Sequence, residues 1–263
     1  MKSEVNPLIT VYTPTYNRVA LLVERAITSV LSQSYHNFEY IIVGDGCTDT
    51  TEETVKSIND SRIRFFNIKR KRPHHNYDSE KDWYIGGSYA ANFALDQVKG
   101  NWIARLDDDD IWTEDHLESS LRFALLNDYD FITSMHIIIK ENKDIIYKNK
   151  TIQEYLHLDK LHLDNPKIGC HSSWFYKGLL KHFKYNSESY KKEWNRVEDP
   201  DLLERLYLSG IKIGFLEKIL TYIKLRPNES SIGLEAVKKK IIKKEYLKKY
   251  KMEKNNNERK ENR

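Results

Sequence analysis

Apolar and polar positions alternate between two periods along the first 140 residues. Leu8-Ile9-Thr10-Val11-Tyr12-Thr13 is a run of β-branched and aromatic residues closed by Pro14, which predicts a first buried strand. Leu21, Leu22, Ala26, Ile27, Val30 and Leu31 then recur at helical spacing. Phe38 to Val43 predicts a second strand, ended by Gly44-Asp45-Gly46. Thr50, with Glu53 three residues on, has the form of a capping box opening a helix through Val55 and Ile58. Ile63 to Ile68 is a third strand, Ser88 to Val98 a helix, and Asn101 to Leu106 a short buried strand. A helix beginning near Thr113 follows, with Leu117, Leu121 and Leu125 on one side, and then an apolar strand over Phe131–Ile139. Strands alternating with helices across short connections predict an α/β fold: a mostly parallel sheet flanked by helices and built from right-handed crossovers.

Beyond residue 140 the periods fade. Lys140 to Pro166 reads as a polar insertion, Cys170 to Tyr176 as a strand, Pro200 to Leu208 as a helix, and Ile211 to Leu225 as a pair of short strands. Lys69 to Tyr84 reads as a loop given a cationic cast by Arg70, Arg72, His74 and His75. Lys238 to Lys251 predicts a basic amphipathic helix, and the last eleven residues a disordered end. There is no internal repeat.

Charge changes this picture at one end. From Ala236 to Arg263 there are twelve Lys/Arg against four Asp/Glu, in a chain of 263 residues whose net charge is only +4. The body is therefore mildly acidic, and a nucleic-acid binder, expected to carry a basic face on its folded domain, is disfavoured as a class. No apolar run reaches the roughly 18–20 residues of a membrane span. Two cysteines, Cys47 and Cys170, make neither a disulfide framework nor a zinc site. With no apolar segment at the N-terminus, a cytoplasmic location is expected. The basic tail, with Val237, Ile241, Leu247 and Tyr250 among its lysines, would suit peripheral contact with an anionic membrane.

The candidate chemistry is concentrated in Asp107-Asp108-Asp109-Asp110. Four carboxylates at the end of a buried strand need a compensating cation, and hard divalent ions such as Mg²⁺ or Mn²⁺ prefer oxygen ligands and accompany phosphates. A solvated acidic turn before the next helix is the plainer alternative. Two further polar stretches fall at strand ends, Thr13 to Arg18 and Gly44 to Asp49. In a parallel sheet such ends share one edge, where ligands bind. Tyr16 offers a ring to stack on a base, and Asp45 an acceptor for a base's N–H groups.

The sequence closely resembles the inverting family-2 glycosyltransferases of the GT-A fold. The resemblance is carried by Pro14-Thr15-Tyr16-Asn17-Arg18, by Ser29 to Tyr35, by Phe38 to Asp49, by Ala90-Ala91-Asn92 and by Leu106 to Asp110, and it covers roughly residues 8–135. It implies a GT-A, Rossmann-like sheet that binds a nucleotide-diphospho-sugar. Pro14, Thr15, Tyr16, Asp45, Asn92, Asp107 and Asp108 would bind that donor. Asp107 and Asp109 would form the Asp-x-Asp metal motif for Mn²⁺ or Mg²⁺, with Asp109 the more direct ligand. Gly44 stands where the family usually has a first aspartate, and Ala91 where an arginine is frequent.

In the C-terminal half, Arg196-Val197-Glu198-Asp199-Pro200-Asp201-Leu202 is similar to the family's acidic motif beside the acceptor. Displacement at an anomeric carbon needs a general base, and Asp199 matches that position, with Glu198 second. An N-cap role for Asp199 is the competing expectation. His171, Trp174 and Glu198 are the acceptor-side candidates, and Trp194 is a further possible stacking ring. The expected organisation is a donor-binding half (1–135), a smaller acceptor-binding half (136–235) and the basic tail (236–263). The implied reaction moves a sugar to a hydroxyl of a glycan or lipid-linked acceptor in surface polysaccharide or glycoconjugate synthesis. A nucleotide-sugar-binding protein without turnover and a nucleotidyltransferase are the rival classes, the latter disfavoured because Thr13–Arg18 contains no glycine.

Overall fold

The computed structural model describes residues 6–69, 83–140, 143–146, 148–158, 160, 163–193 and 197–226. The loop histidines His74 and His75, Trp194 and the basic tail lie outside the described residues. β1 (Ile9–Thr15) is buried at all seven positions, as a strand covered on both faces must be. Its alternation assigns side chains to two layers. Ile9 and Val11 pack with Leu22, Ala26, Ile27 and Val30, whereas Tyr12 packs with Ala90, Ala91, Ala94 and Leu95 on the opposite face.

β1 pairs in parallel with β2 (Phe38–Gly44), and β2 with β3 (Ile63–Asn67). On its other side β1 pairs in parallel with β4 (Trp102–Arg105). The order β3-β2-β1-β4 reverses direction at β1, so the ends of β1 and β4 flank a topological switch point, where open α/β sheets bind ligands. The sheet continues through β8 (Phe175–Lys177), β6 (Phe131–Lys140), β9 (Ile213–Lys224) and β5 (Asp110–Trp112), with β7 (Lys143–Ile146) pairing off β6. β6 and β9 are parallel, while the β4–β8, β6–β8, β5–β9 and β6–β7 pairings are antiparallel.

Three α1 segments form one continuous helix: α-helical Val19–Leu21, a π-helical stretch Leu22–Ile27 and α-helical Thr28–Leu31. With α2 (Thr51–Ser57) and α4 (His116–Leu126) it covers one face of the sheet. α3 (Ser88–Gln97), α5 (Ile152–Leu156) and α6 (Glu198–Leu208) cover the other. Among the described residues no helix is long and apolar enough to cross a membrane.

Three local expectations are corrected. The capping box at Thr50 does not form: Thr50 has φ −75° and ψ 13°, not the extended backbone of an N-cap, and the amide of Thr51 donates to Asp49 Oδ1 at 3.1 Å instead. Ile211–Leu225 holds one long strand rather than two. Its polar centre, Glu217 and Lys218, is taken up as an irregularity in register, since Ser134 pairs with Leu216 and Met135 with Ile219. The polar insertion contains α5, started by a complete capping box between Thr151 and Glu154.

Candidate active site

The turn after β4 gathers the predicted aspartates, and Asp107, Asp108 and Asp109 each have their own arginine. Arg105 donates from Nη2 to Asp107 Oδ1 at 2.8 Å. Arg18 donates from Nη1 to Asp108 Oδ1 at 3.0 Å, and Thr15 Oγ1 to Asp108 Oδ2 at 2.8 Å. Asp108 thereby ties the end of β1 to the end of β4. Arg226, just past β9, pairs through Nε with Asp109 Oδ2. Arg25 donates to the Asp109 carbonyl at 2.8 Å. Arg25 lies in the π-helical stretch of α1, where Thr28 Oγ1 donates to the Val23 carbonyl at 2.7 Å; such stretches recur at functional sites.

Asp110 faces inward. Ser172, on a short 3₁₀ turn (His171–Ser173), donates its hydroxyl to Asp110 Oδ2 at 2.6 Å and accepts the Asp107 amide at 3.0 Å. Its carbonyl accepts Trp112 Nε1 at 2.6 Å. A single serine thus fixes the shape of the acidic turn from below. Burial, with Asp109 and Asp107 nearby, pushes the Asp110 carboxyl well above the usual range. Burial also works to raise Asp109, but Arg226 and Arg18 outweigh it and hold that carboxyl below the usual range. The turn therefore presents charged oxygens at Asp109 and keeps a less ionised carboxyl, Asp110, inside.

The second and first strand ends are laced together beside this turn. Asn17, at φ 49°, accepts the Thr48 amide on Oδ1 at 2.8 Å and donates from Nδ2 to Thr48 Oγ1 at 3.1 Å. Asp45 is 2% exposed, and its amide donates to the Thr15 carbonyl at 2.9 Å. The glycine at position 44 has a packing reason. A Cβ there would lie 2.8 Å from Asn67 Oδ1, whose amide accepts the Cys47 N–H at 2.8 Å and donates to the Cys47 carbonyl at 2.9 Å. Burial raises the Cys47 thiol, so it is a packed, protonated group. Tyr16 is half-buried at the rim of the same edge.

The carboxylates at the start of α6 differ from those of the turn. The helix begins at Glu198 after Val197, with no side-chain cap, so the N-cap expectation for Asp199 is not met. Glu198 is buried and accepts the Gly87 amide at 3.4 Å, with Arg105 Nη2 3.9 Å away. Gly87 in turn abuts Pro14, so Pro14, Gly87 and Glu198 meet at one point. Asp199 Oδ2 accepts the phenol of Tyr155, on α5, at 2.9 Å. Burial raises Asp199 to about 6, against the Tyr155 hydrogen bond and the Arg105 charge, which favour the ionised form.

Two predicted contacts are corrected by the structure. Asn92 donates from Nδ2 to the Tyr185 carbonyl at 2.9 Å and accepts the Tyr185 amide on Oδ1 at 2.7 Å. Its amide is occupied in placing Tyr185. Trp174 is fully buried, in edge contact with Phe131, so its ring belongs to the core and not to an acceptor surface. His171 holds an intermediate place. Its Nε2 is 2.8 Å from the Tyr185 phenol, which is 2.8 Å from that of Tyr12, and burial together with Arg105 keeps its imidazole neutral.

Residues overlooked in the sequence are Arg25, Arg105, Arg226, Ser172 and Tyr155. Arg25 stands in the apolar stripe of its helix, three residues after Leu22, and Arg105 stands inside a buried strand. A charge at a core position is the signal that could have found both. Arg226 and Tyr155 carry no such signal.

The family described as Glycosyl transferase family 2 matches residues 10–184. The chain belongs to that family. Among curated relatives, this glycosyltransferase is 29% identical over 235 residues to WfgD of Escherichia coli, a UDP-Glc:alpha-D-GlcNAc-diphosphoundecaprenol beta-1,3-glucosyltransferase, covering 88% of this chain and 82% of that one. It is 32% identical over 166 residues to TuaG of Bacillus subtilis, named as a putative teichuronic acid biosynthesis glycosyltransferase, covering 62% and 60%. Of several Rickettsia relatives it spans only about a fifth of the length. In fold it is similar to S. aureus TarS 1–349 in complex with UDP-GlcNAc, at a TM-score of 0.62 and 17% identity over 84% of this chain and 60% of that one. The mannosyltransferase PcManGT of Pyrobaculum calidifontis, in complex with GDP-Man and Mn2+, gives 0.61 at 14% identity, over 86% and 59%. The GT-A expectation for the fold is met.

Proposed function

We propose that this glycosyltransferase moves a sugar from a nucleotide-diphospho-sugar to an acceptor hydroxyl with inversion, Asp199 acting as the base. The observation that carries the reading is the Asp199 carboxyl: raised to about 6, held by Tyr155, and close enough to Arg105 and Asp107 to feel their charges. A base poised just below neutral pH is ionised in most molecules yet still takes a proton readily. As the acceptor oxygen bonds to the anomeric carbon, its proton passes to Asp199. The bond from that carbon to the diphosphate oxygen breaks on the opposite side.

On the donor side, Tyr16 stacks on the base, and Asp45 reads its edge. Thr15 and Asp108 hold the strand ends in place, and Asp107 faces the ribose side. Among the described residues no three His, Cys, Asp or Glu side chains gather to bind an ion by themselves. Asp109 and Asp107 nonetheless fit Mn²⁺ or Mg²⁺ that takes its remaining oxygens from the diphosphate and water, as such ions do. When bound, the ion neutralises charge growing on the leaving diphosphate.

A lipid-linked or glycan acceptor in surface polysaccharide synthesis is supported by the substrate in the name of WfgD and by the biosynthetic role named for TuaG. The cationic 236–263 segment suits a peripheral approach to an anionic membrane, where such acceptors reside. A thermal-shift panel of nucleotide-sugars with and without Mn²⁺ tests donor use. A ligand at 100 times its Kd adds about 2.7 kcal/mol of apparent stability. The reading expects a Mn²⁺-dependent shift with at least one donor, and transfer of that donor's sugar in an assay with lipid-linked acceptors. No shift with any donor in either condition would overturn it.

A further inference from the structure

Tyr185 lies far from the acidic turn in sequence, in the C-terminal half, yet it touches the supports of that turn. Its backbone is fixed from two helices. Asn92, on α3, brackets its amide and carbonyl, and the carbonyl of the preceding Lys184 accepts Arg205 Nη2, from α6, at 2.7 Å. Tyr185 is buried, and burial pushes its phenol well above the usual range, so the hydroxyl stays neutral. That hydroxyl lies 2.8 Å from the Tyr12 phenol on β1 and 2.8 Å from His171 Nε2. His171 opens the 3₁₀ turn whose next residue, Ser172, bonds both Asp110 and the Asp107 amide.

The ring of Tyr185 has a second neighbour. The Arg105 guanidinium lies 5.3 Å from its centroid and 5.6 Å from that of Tyr12. Arg105 is buried, and among the described residues its Nε and Nη1 have no hydrogen-bond partner. A buried cation short of hydrogen bonds is costly unless other groups face it, and two phenol rings attract it here. With the guanidinium seated between the rings, Nη2 reaches Asp107 at 2.8 Å and stands 3.9 Å from Glu198. The Asp107 side chain is 36% exposed, so this grip on one carboxylate oxygen, made from below, helps set where the other points.

We infer that Tyr185 is a positioning residue for sugar transfer: its ring aims Arg105 at Asp107, and its hydroxyl holds the His171 turn that sets Ser172 against the same acidic turn. It acts through these neighbours alone. The inference deepens the reading of Asp107 and Asp109 as the protein's ligands to the ion, and it rests on that reading. The helix that fixes Lys184, α6, also begins with Glu198 and Asp199. Through Tyr185 the placement of the ion's carboxylates is therefore tied to the helix that carries the base.

The test measures Mn²⁺ affinity of the full chain with UDP or GDP present, from the free-ion paramagnetic resonance signal, well below the melting temperature of each variant. The variants are Tyr185→Phe, Tyr185→Leu, Arg105→Met and the Tyr185→Leu/Arg105→Met pair. Tyr185→Phe keeps the ring and loses the hydroxyl, and Tyr185→Leu loses both. Tyr185→Leu should bind Mn²⁺ about tenfold more weakly, the low end of what losing an outer partner of a metal ligand costs, and Tyr185→Phe should fall between it and wild type. With Arg105 already replaced by Met, Tyr185→Leu should cost less than it does alone, because the two residues share a route; independent contributions would add in full. Mn²⁺ affinity equal to wild type in both Tyr185 variants, or full additivity in the pair, would overturn the inference while leaving the metal reading intact. Should Tyr185→Leu not fold, Tyr185→Phe decides alone, and wild-type affinity there overturns the inference. If wild type binds neither nucleotide more tightly with Mn²⁺ than without it, the metal reading falls and takes the inference with it.

Discussion

Two groups of carboxylates face each other across this site, and the protein treats them in opposite ways. Around the turn after β4 every aspartate from Asp107 to Asp109 has an arginine, and Asp109 is held below the ordinary range although it is largely buried. At the start of α6 Asp199 accepts a phenol and, among the described residues, has no arginine in contact, and burial raises it to about 6. Asp109 is thus kept an anion, whereas Asp199 is set up to accept a proton. Separating two acids by environment is how one site serves both an electrostatic and a proton-transfer role. Arg226 and Arg18 beside Asp109, against burial with a single phenol at Asp199, account for the difference between those two.

The strongest way to break the contrast is at its charged end. Asp109→Ala should abolish sugar transfer and remove the metal-dependent part of donor affinity, with the far-ultraviolet circular dichroism unchanged. Calorimetry that finds the same Mn²⁺-dependent donor affinity in the variant would sink the assignment. Asp199→Asn is next in size. It keeps the shape and the hydrogen bond to Tyr155 but loses the base, so transfer should fall by roughly 10²–10⁴-fold while donor affinity survives.

A smaller effect is expected from Ser172→Ala, which removes the hydroxyl that joins the Asp107 amide to Asp110. Partners of this kind orient the groups in contact with the ion, and their loss typically costs about 10–100-fold in activity or metal affinity. Activity equal to wild type at limiting Mn²⁺ would show that the turn keeps its shape unaided.

The two regions also differ in how far the sequence announces them. β1, β2 and β4 are apolar runs closed by polar stretches, and two-sided burial leaves little other reading for them. Their shared edge follows from parallel topology, so Thr15, Asp45 and Asp107–Asp109 come together as expected. The acceptor side depends on contacts that no local period encodes. Tyr155 sits in what looks like a polar insertion, yet Thr151 and Glu154 carry the capping pattern that starts its helix. The same pattern at Thr50 and Glu53 fails because Thr50 does not take the extended backbone of an N-cap, and Asp49 serves the Thr51 amide instead. Trp174 is legible as a ring suited to a sugar and Asn92 as a match to the family's donor-binding pattern, but Trp174 fills the core and Asn92 clamps the Tyr185 backbone. Which way a side chain faces is a tertiary property.

Tyr155→Phe gives the smallest effect and the finest resolution. The phenol donates to the ionised carboxylate and so lowers the Asp199 pKa; without it the pKa rises, and the acidic limb of the rate profile should move to higher pH, with the plateau rate little changed. The pH dependence of kcat/KM for wild type, Tyr155→Phe and Asp199→Asn is therefore the measurement that tests the account most directly. It predicts a wild-type acidic limb centred near about 6, displaced upward in Tyr155→Phe and absent from the residual activity of Asp199→Asn. A limb that stays at the same pH in Tyr155→Phe and persists in Asp199→Asn would contradict it, and would place the base elsewhere.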